Sequence, residues 1–132
     1  MKHIILTTLA LLLVLCGCAQ NNSSNTDNSA AKKASYRQIS QEDASSIMSS
    51  ETGYIILDVR TQEEYDQGHI DGAICVPNES ITGEDIPQLP DKSQLILVYC
   101  RSGRRSKEAS QKLADMGYTN VMEFGGIIDW KG

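Results

Sequence analysis

The sequence predicts an α/β fold in which a mainly parallel β-sheet is covered by helices on both faces. Segments rich in apolar and β-branched residues alternate along the chain with segments of helical periodicity, a pattern typical of parallel α/β domains. The runs at 54–59 and 95–99 lack the polar alternation of a half-exposed strand, which indicates burial on both faces.

The first helix of the domain is marked by its start signal and its apolar face. A short edge strand over 36–39 precedes Ser40, which caps the helix with Asp43 in the capping-box position, and Gly53 ends the segment. The apolar face is formed by Ala44, Ile47 and Met48.

The next strand-helix-strand unit is short. The strand at 54–59 leads to Thr61, which caps a short helix that Gly68 stops. A strand over 72–76 follows and is closed by Pro77.

The second half of the domain is predicted to begin with a polar loop over 78–92 that contains at most one turn of helix. A strand at 95–99, a helix over 106–116 and a strand over 120–124 follow. A glycine pair then turns the chain into a final short helix that bears Trp130.

The first residues of the chain are predicted to be an export signal. Lys2 supplies the positive start, and the apolar stretch 4–15 is too short to span a membrane comfortably. Cys18, with Gly17 before it and Leu15 three positions before it, resembles the lipidated cysteine of a bacterial lipobox. An ordinary secretory signal cleaved close by is the alternative.

A tether is predicted between this signal and the domain. Residues 20–35 are rich in Asn and Ser and carry too little apolar surface to fold. The predicted organisation is a lipoprotein signal peptide over 1–17, lipidated Cys18 and a disordered tether over 18–35, and the folded domain over 36–132. The protein is therefore expected to be exported and anchored by lipid to the extracytoplasmic face of a bacterial membrane, at the cell surface or in the periplasm.

Charge and cysteine content narrow the functional classes. A net charge of −5 argues against nucleic-acid binding. Without the signal, the domain keeps two cysteines, Cys75 and Cys100, which are either a disulfide pair or one reactive and one buried thiol. The domain has no Cys-x-x-Cys pair and one histidine, His69, so no metal site is predicted.

Cys100 lies where the 95–99 strand ends and a charged loop begins. The loop contains Gly103, which allows a sharp turn, and the helix expected from Ser106 adds its positive dipole end. Backbone N–H groups of such a loop form an anion-binding nest. Three arginines also crowd it, at Arg101, Arg104 and Arg105. These features predict a lowered pKa for Cys100 and a bound anion.

Four ordered motifs stand out in the domain. They are Asp58-Val59-Arg60 with Glu64, Gly68-His69-Ile70-Asp71-Gly72-Ala73-Ile74 with Pro77, Cys100-Arg101-Ser102-Gly103-Arg104-Arg105-Ser106, and Gly125-Gly126-Ile127-Ile128-Asp129-Trp130. Together they resemble a single rhodanese homology domain that runs from about residue 36 to the end of the chain. The resemblance implies a five-stranded parallel sheet flanked by helices.

The resemblance also implies a reaction. Members of this family transfer sulfane sulfur, classically from thiosulfate to cyanide or a thiol, through a persulfide on the loop cysteine, which is Cys100 here. The small anionic donor would be bound by the loop residues 101–106, with Arg105 facing the bound anion and Arg101 and Arg104 at the rim. Thiolate attack on a sulfur–sulfur bond needs an ionised, accessible thiol. No metal or organic cofactor is implied, and a protein acceptor for the sulfur remains open.

Two other functions are compatible with this sequence. The domain is alternatively a carrier or binding module for sulfane sulfur or polysulfide that does not turn over. Phosphatases of the same fold use a Cys-x5-Arg loop, whereas Arg105 here comes at Cys-x4-Arg, Ser106 stands in the following position, and Tyr99 rather than His precedes the cysteine. These departures favour the sulfur-sized loop.

The remaining motif residues are predicted to support the site. Asp58 and Arg60, just past a strand end, are expected to brace the loops around it, with Arg60 pairing with Glu64 four residues on. His69 is expected to pack or to form hydrogen bonds rather than to act as a base. Cys75 is expected to be buried and inert, with a redox switch to Cys100 as the alternative.

Overall fold

The computed structural model describes residues 33–132, which contain a five-stranded sheet in which every strand pair is parallel. The strands are β1 (Arg37–Gln38), β2 (Ile55–Asp58), β3 (Ile74–Cys75), β4 (Ile96–Cys100) and β5 (Val121–Gly126). They are ordered β1-β5-β4-β2-β3 across the sheet. The predicted signal peptide, the predicted lipidation site Cys18 and most of the predicted tether lie outside the described residues.

Three helices connect these strands, and sequence-encoded caps begin two of them. The helices are α1 (Gln41–Ser50), α2 (Gln62–Gln67) and α3 (Arg104–Asp115). Ser40 and Asp43 form a reciprocal capping box at the start of α1, and Thr61 and Glu64 form one at the start of α2, as the sequence predicts for both caps. Short 3₁₀ turns at Asn78–Ser80 and Ile127–Asp129 complete the fold.

The sheet is buried on both faces, which confirms the predicted three-layer α/β architecture. On one face, Val98 and Cys100 of β4 pack with Ala109 and Leu113 of α3. On the other face, side chains of α1 and α2 pack on the sheet residues Ile56, Leu97, Tyr99, Met122 and Phe124. Within residues 33–132, no helix has both the length and the apolar character needed to cross a membrane.

Two element boundaries beside Cys100 differ from the sequence prediction. Helix α3 begins at Arg104 rather than at Ser106, and β5 continues through the glycine pair to Gly126 rather than ending at Phe124. The helix starts earlier because Gly103 takes a left-handed conformation (φ 104°) at the N-cap, a start signal with no capping side chain. Cys100 is the last residue of β4 rather than the first residue after it.

A β-bulge accompanies the longer β5. Val98 lies opposite Glu123, yet Cys100 lies opposite Gly126, so β5 contains one more residue than β4 over this interval. Gly125, inside the bulge, has a φ of 95°, which favours glycine. The bulge therefore brings Gly126 level with the cysteine.

A buried polar cluster ties β2 to β4 on the face opposite Cys100. The Tyr99 hydroxyl donates to Asp58 Oδ2 at 2.7 Å and accepts from the Ile70 N–H at 3.1 Å. Asp58 also accepts from Arg60, whose Nη2 lies 2.6 Å from Oδ2 and 2.7 Å from the Gly68 carbonyl. The cluster holds the 59–70 segment against the strand that carries Cys100.

Replacing Tyr99 with Phe is expected to lower the free energy of unfolding by about 1–3 kcal/mol, because it leaves the buried Ile70 N–H without a partner and removes one of the hydrogen bonds that Asp58 Oδ2 accepts. Urea unfolding measures this change. The Tyr54→Phe protein is the control, since the Tyr54 hydroxyl bonds a single half-buried carbonyl, that of Met48. Equal decreases in the free energy of unfolding of the two proteins would contradict the larger contribution expected from the Tyr99 cluster.

Candidate active site

Cys100 is buried at the carboxyl end of β4, under the loop that leads into α3. Its side chain is only 1% exposed, so the accessible thiol expected from the sequence is not seen. The Gly103 N–H donates to Cys100 Sγ at 3.0 Å, and the thiol lies 3.4 Å from Ser106 Oγ. The loop therefore covers the sulfur in this structure.

The surroundings of Cys100 lower the pKa of its thiol. Burial raises the pKa of the thiol, but hydrogen bonds from the Ser106 hydroxyl and from the N–H groups of Ser106, Gly103 and Ser102 lower it, and the net shift is downward. These donors converge at the N-terminus of α3, where the helix dipole also favours an anion. The arrangement is the backbone nest that the sequence predicts.

The three loop arginines have different partners. Arg105 donates two hydrogen bonds to Glu64, at 2.7 and 2.9 Å, and Arg104 pairs with Glu108 at 2.7 Å. Arg101 is exposed and forms no ion pair within residues 33–132. The expectation that Arg105 faces a bound anion stays a prediction; in this structure its guanidinium is bound to the Glu64 carboxylate.

Arg60 also differs from the sequence prediction. It pairs with Asp58 rather than with Glu64 and donates to the Gly68 carbonyl. The reason is geometric: Asp58 lies at the buried end of β2 and accepts both the backbone N–H and the guanidinium of Arg60. Glu64 is thereby left to bind Arg105.

Glu64 joins two elements of the site. Its Oε2 accepts the Thr61 N–H at 3.0 Å as part of the α2 capping box and accepts Arg105 Nη1 at 2.7 Å. Hydrogen bonding to Arg105 lowers the pKa of Glu64 to about 2, despite partial burial that acts in the opposite direction. The carboxylate thus links the start of α2 to the first turn of α3.

The glycine at position 126 contacts the cysteine loop directly. A Cβ placed on Gly126 would lie 2.1 Å from the Arg101 carbonyl oxygen and 2.6 Å from the Ser102 Cα. The Gly126 carbonyl in turn accepts from Gln41 of α1 at 2.9 Å. Only a residue without a side chain fits between the bulged strand and the loop.

A cavity of about 220 Å³ opens beside the loop. Its lining includes Arg60, Glu64, Arg101 and Ile128. Among residues 33–132, Ile128 is the one large apolar side chain that is exposed to solvent. The cavity is large enough for a small anion, and its wall includes Arg101, which forms no ion pair with the residues that the structure describes. A larger groove lies between α1 and the end of the described chain. It shares Ile128 with this cavity but is not lined by Arg60, Glu64 or Arg101.

His69 and Cys75 lie apart from this chemistry. The His69 ring stacks on Tyr65 at 3.7 Å, and its Nδ1 lies 2.9 Å from the Tyr65 carbonyl oxygen. Cys75 lies level with Asp58, which lies level with Tyr99, so its side chain is on the face opposite Cys100. A direct disulfide between the two cysteines would require the strands to rearrange.

Cys75 is half-buried rather than fully buried, and burial, followed by the charge of Asp58, raises the pKa of its thiol. A raised pKa lowers the thiolate fraction, so Cys75 is the less reactive of the two thiols. Among residues 33–132, no group of three or more His, Cys, Asp or Glu side chains is arranged to bind a metal ion.

One residue of the site was missed by sequence reasoning. Glu123 of β5 is 2% exposed, and its Oε1 lies 2.6 Å from Ser106 Oγ. A signal was present in the sequence, because a carboxylate within the apolar strand at 120–124 has to be buried on one of its faces.

The chain is similar in sequence to known proteins of one family. The Rhodanese-like domain family matches residues 40–132. A thiosulfate sulfurtransferase of Escherichia coli, PspE, is 41% identical over 73 residues, which cover 55% of this chain and 70% of that protein. An adenylyltransferase and sulfurtransferase of Meyerozyma guilliermondii, UBA4, is 35% identical over 102 residues, covering 71% of this chain but only 23% of that longer protein.

Solved structures agree with these sequence matches. A structure described as rhodanese with anions, from Escherichia coli, is 42% identical and superimposes with a TM-score of 0.53. The match covers 58% of this chain and 89% of that one.

The pair between Glu64 and Arg105 is expected to make stability depend on acid pH. Because Arg105 lowers the folded pKa of Glu64 from 4.5 to about 2, the contribution of the pair is complete above pH 4.5 and is lost as the pH falls towards 2. Glu64→Gln should lose about 1 kcal/mol at neutral pH and should lack this part of the acid destabilisation. Chemical unfolding at several pH values measures both effects, and Glu63→Gln, an exposed neighbour, is the control.

Gly126→Ala is expected to displace the cysteine loop, because the new methyl group would overlap the Arg101 carbonyl. The rate at which iodoacetamide modifies Cys100 should change by about tenfold or more as the N–H donors move away from the sulfur. The control is Gly83→Ala, which introduces a strained φ of 100° but meets no atom within 4 Å. An unchanged rate in Gly126→Ala would show that the contact does not position the loop.

Proposed function

The chain belongs to the rhodanese family, and on that premise we propose that it is a sulfurtransferase that moves sulfane sulfur through a persulfide on Cys100. The donor is a thiosulfate-like anion, and the acceptor is cyanide or a thiol. The observation that carries the proposal is the convergence of N–H donors on a buried sulfur, with Gly103 N–H at 3.0 Å. Relatives named as sulfurtransferases support the reaction class.

Loading of the cysteine begins with its thiolate. Cys100 Sγ attacks the outer sulfur of thiosulfate, the sulfur–sulfur bond of the donor breaks, and its electron pair leaves with sulfite. The outer sulfur of the resulting persulfide is anionic and takes the place that the loop N–H groups of 101–106 offer to an anion. Arg101, the loop arginine without an ion pair in residues 33–132, is proposed to attract the dianionic donor to the cavity.

Discharge returns the cysteine to its resting form. Cyanide or an acceptor thiolate attacks the outer sulfur, and the sulfur–sulfur bond breaks with its electron pair left on Cys100 Sγ. The same N–H donors that stabilise the attacking thiolate then stabilise the departing one. Ser102, Ser106 and the remaining loop residues are proposed to form this binding nest, while Asp58, Arg60, Glu64 and His69 support its position.

We propose further that the domain works outside the cytoplasm, attached to a bacterial membrane by lipid on Cys18. This proposal is supported by the sequence alone, through the lipobox-like segment ending in Cys18 and the polar tether that follows. Labelling with a radioactive fatty acid in the native host, lost on Cys18→Ser, tests it.

A sulfur carrier that does not turn over is the second candidate. The 1% exposure of Cys100 favours it, because a persulfide held there is protected from small acceptors in solution. A phosphatase is disfavoured, because the arginine at Cys-x4-Arg is bound to Glu64 and the following position is Ser106. Hydrolysis of p-nitrophenyl phosphate separates that reading from both sulfur functions.

Cys100→Ser is expected to reduce thiocyanate formation from thiosulfate and cyanide to background, because it removes the persulfide-forming atom. The Cys75→Ser protein is the matched control and should retain turnover, since that thiol lies on the opposite face of the sheet.

Intact mass after incubation with thiosulfate tests the persulfide itself. The wild-type chain should gain the mass of one sulfur atom, and cyanide should remove it. A gain that cyanide does not remove indicates the carrier, whereas turnover retained by Cys100→Ser would rule out the proposed mechanism.

A further inference from the structure

The proposed sulfur chemistry does not use Glu123, a buried carboxylate close to the reactive cysteine. Glu123 projects from β5 level with Val98, hence on the same face of the sheet as Cys100 and beneath α3. It is 2% exposed, and it forms no ion pair within residues 33–132. Burying a carboxylate without a cation is costly, so the hydrogen bonds that compensate for it are informative.

Three donors hold this carboxylate in one orientation. The Gly125 N–H donates to Oε1 at 2.8 Å, and Ser106 Oγ lies 2.6 Å from the same oxygen. Gln38 of β1 reaches Oε2 at 3.4 Å. Because the Gly125 N–H is part of the bulge in β5, the backbone irregularity itself fixes the oxygen that faces Ser106.

Ser106 has one hydroxyl proton and several candidate acceptors. Its Oγ lies 2.6 Å from Glu123, 3.0 Å from the Gly103 carbonyl and 3.4 Å from the Gly125 carbonyl. The Glu123 carboxylate is both the nearest acceptor and the charged one. In the resting state it therefore accepts the hydrogen bond from the Ser106 hydroxyl. Ser106 then turns a lone pair towards Cys100, whose thiol lies 3.4 Å away and donates to it.

We propose that Glu123 is a positioning residue that controls, through the Ser106 hydroxyl, how readily Cys100 loses and regains its proton. When Cys100 is a thiol, Ser106 accepts from it and donates to Glu123. When Cys100 is a thiolate, sulfur and carboxylate compete for the same hydroxyl proton. Glu123 therefore makes the thiolate less stable than it would be if the Ser106 hydroxyl donated to the sulfur alone.

The other charged groups near this chain of contacts act differently. Arg105 lies close enough to Cys100 for the thiolate to contribute to the raised pKa of Arg105, after the larger effect of its hydrogen bonds to Glu64. Tyr36, before β1, has its pKa raised by burial and by the charge of Glu123. Neither contacts the Ser106 hydroxyl, so the competition for that proton belongs to Glu123 and Cys100.

The competition for the Ser106 proton would also affect sulfur transfer. This second part of the inference rests on the function proposed above. In the persulfide, Cys100 Sγ is a neutral sulfur and Ser106 donates to Glu123 without competition. On discharge the sulfur–sulfur bond breaks, the electron pair returns to Sγ, and the competition reappears. A thiolate of higher basicity is a poorer leaving group and a stronger nucleophile, so Glu123 favours loading and retention of the sulfur over its early release.

The decisive variant is Glu123→Gln, which keeps the shape and the oxygen that accepts from Ser106 and Gly125 but removes the charge. We expect it to fold, since a buried amide costs less than a buried carboxylate, and to lower the midpoint of Cys100 thiolate formation by about one pH unit. The rate of iodoacetamide modification of Cys100, followed by peptide mass spectrometry against pH in the full-length chain, gives this midpoint without any sulfur substrate.

A double-mutant cycle with Ser106→Ala tests the route of the effect. If Glu123 acts through the hydroxyl, the shift should largely disappear when Glu123→Gln is made in the Ser106→Ala background. An equal shift in both backgrounds, no shift, or a rise would each overturn the proposal. Should Glu123→Gln fail to fold, Glu123→Asp replaces it. A carboxylate that is one methylene shorter no longer reaches the Ser106 hydroxyl, which is then free to donate to Cys100. The midpoint of Cys100 thiolate formation should therefore move in the same direction.

A single-turnover measurement separates this inference from the function on which its second step rests. Preformed persulfide should be discharged to cyanide several-fold faster in Glu123→Gln than in the wild-type chain. If neither protein forms a persulfide, the sulfurtransfer proposal fails while the thiolate midpoint still decides the role of Glu123. If persulfide forms and discharges at the same rate in both proteins, the retention role is wrong.

Discussion

Burial of the Cys100 sulfur is the constraint on which the rest of this site depends. A thiol that is 1% exposed at the end of a central strand would ordinarily stay protonated, because desolvation penalises its charge. Here the loop N–H groups and the Ser106 hydroxyl outweigh that penalty. Such donors work only if they point at the sulfur, so the loop must be fixed more firmly than a surface loop usually is.

Three separate contacts supply that fixation. Gly126 of the bulged strand packs against the loop backbone from one side, with no room for a side chain. Glu64 holds Arg105 from α2, which couples the cap of one helix to the first turn of another. The Tyr99–Asp58 bond secures the strand from the opposite face. Each of these contacts restrains an element that determines where the N–H donors lie.

The sequence was sufficient for the fold because its signals are local. Apolar runs, one capping box, the Thr61 cap and turn-forming glycines are read from neighbouring residues, and they predict strands, helices and the layer order. The cysteine loop was found in the same way. The sequence did not predict two pairs of side chains that are distant along the chain. They are Glu64 with Arg105, 41 positions apart, and Ser106 with Glu123, 17 positions apart. No local pattern indicates which strand register will bring such partners together, and the register here includes a bulge.

The partners of the arginines change how anion binding should be understood. From residue 36 onward the chain has nine Lys and Arg against sixteen Asp and Glu, so three arginines in one loop suggest binding by charge. Two of those charges are balanced by Glu108 and Glu64, which leaves Arg101 beside the cavity. Under the proposed function, anion affinity at the sulfur would come mainly from backbone N–H groups, whose positions are fixed, while Arg101 would attract the anion from an otherwise acidic surface. In that proposal, the backbone N–H groups determine the reactivity of Cys100, and one exposed arginine determines how the anion approaches.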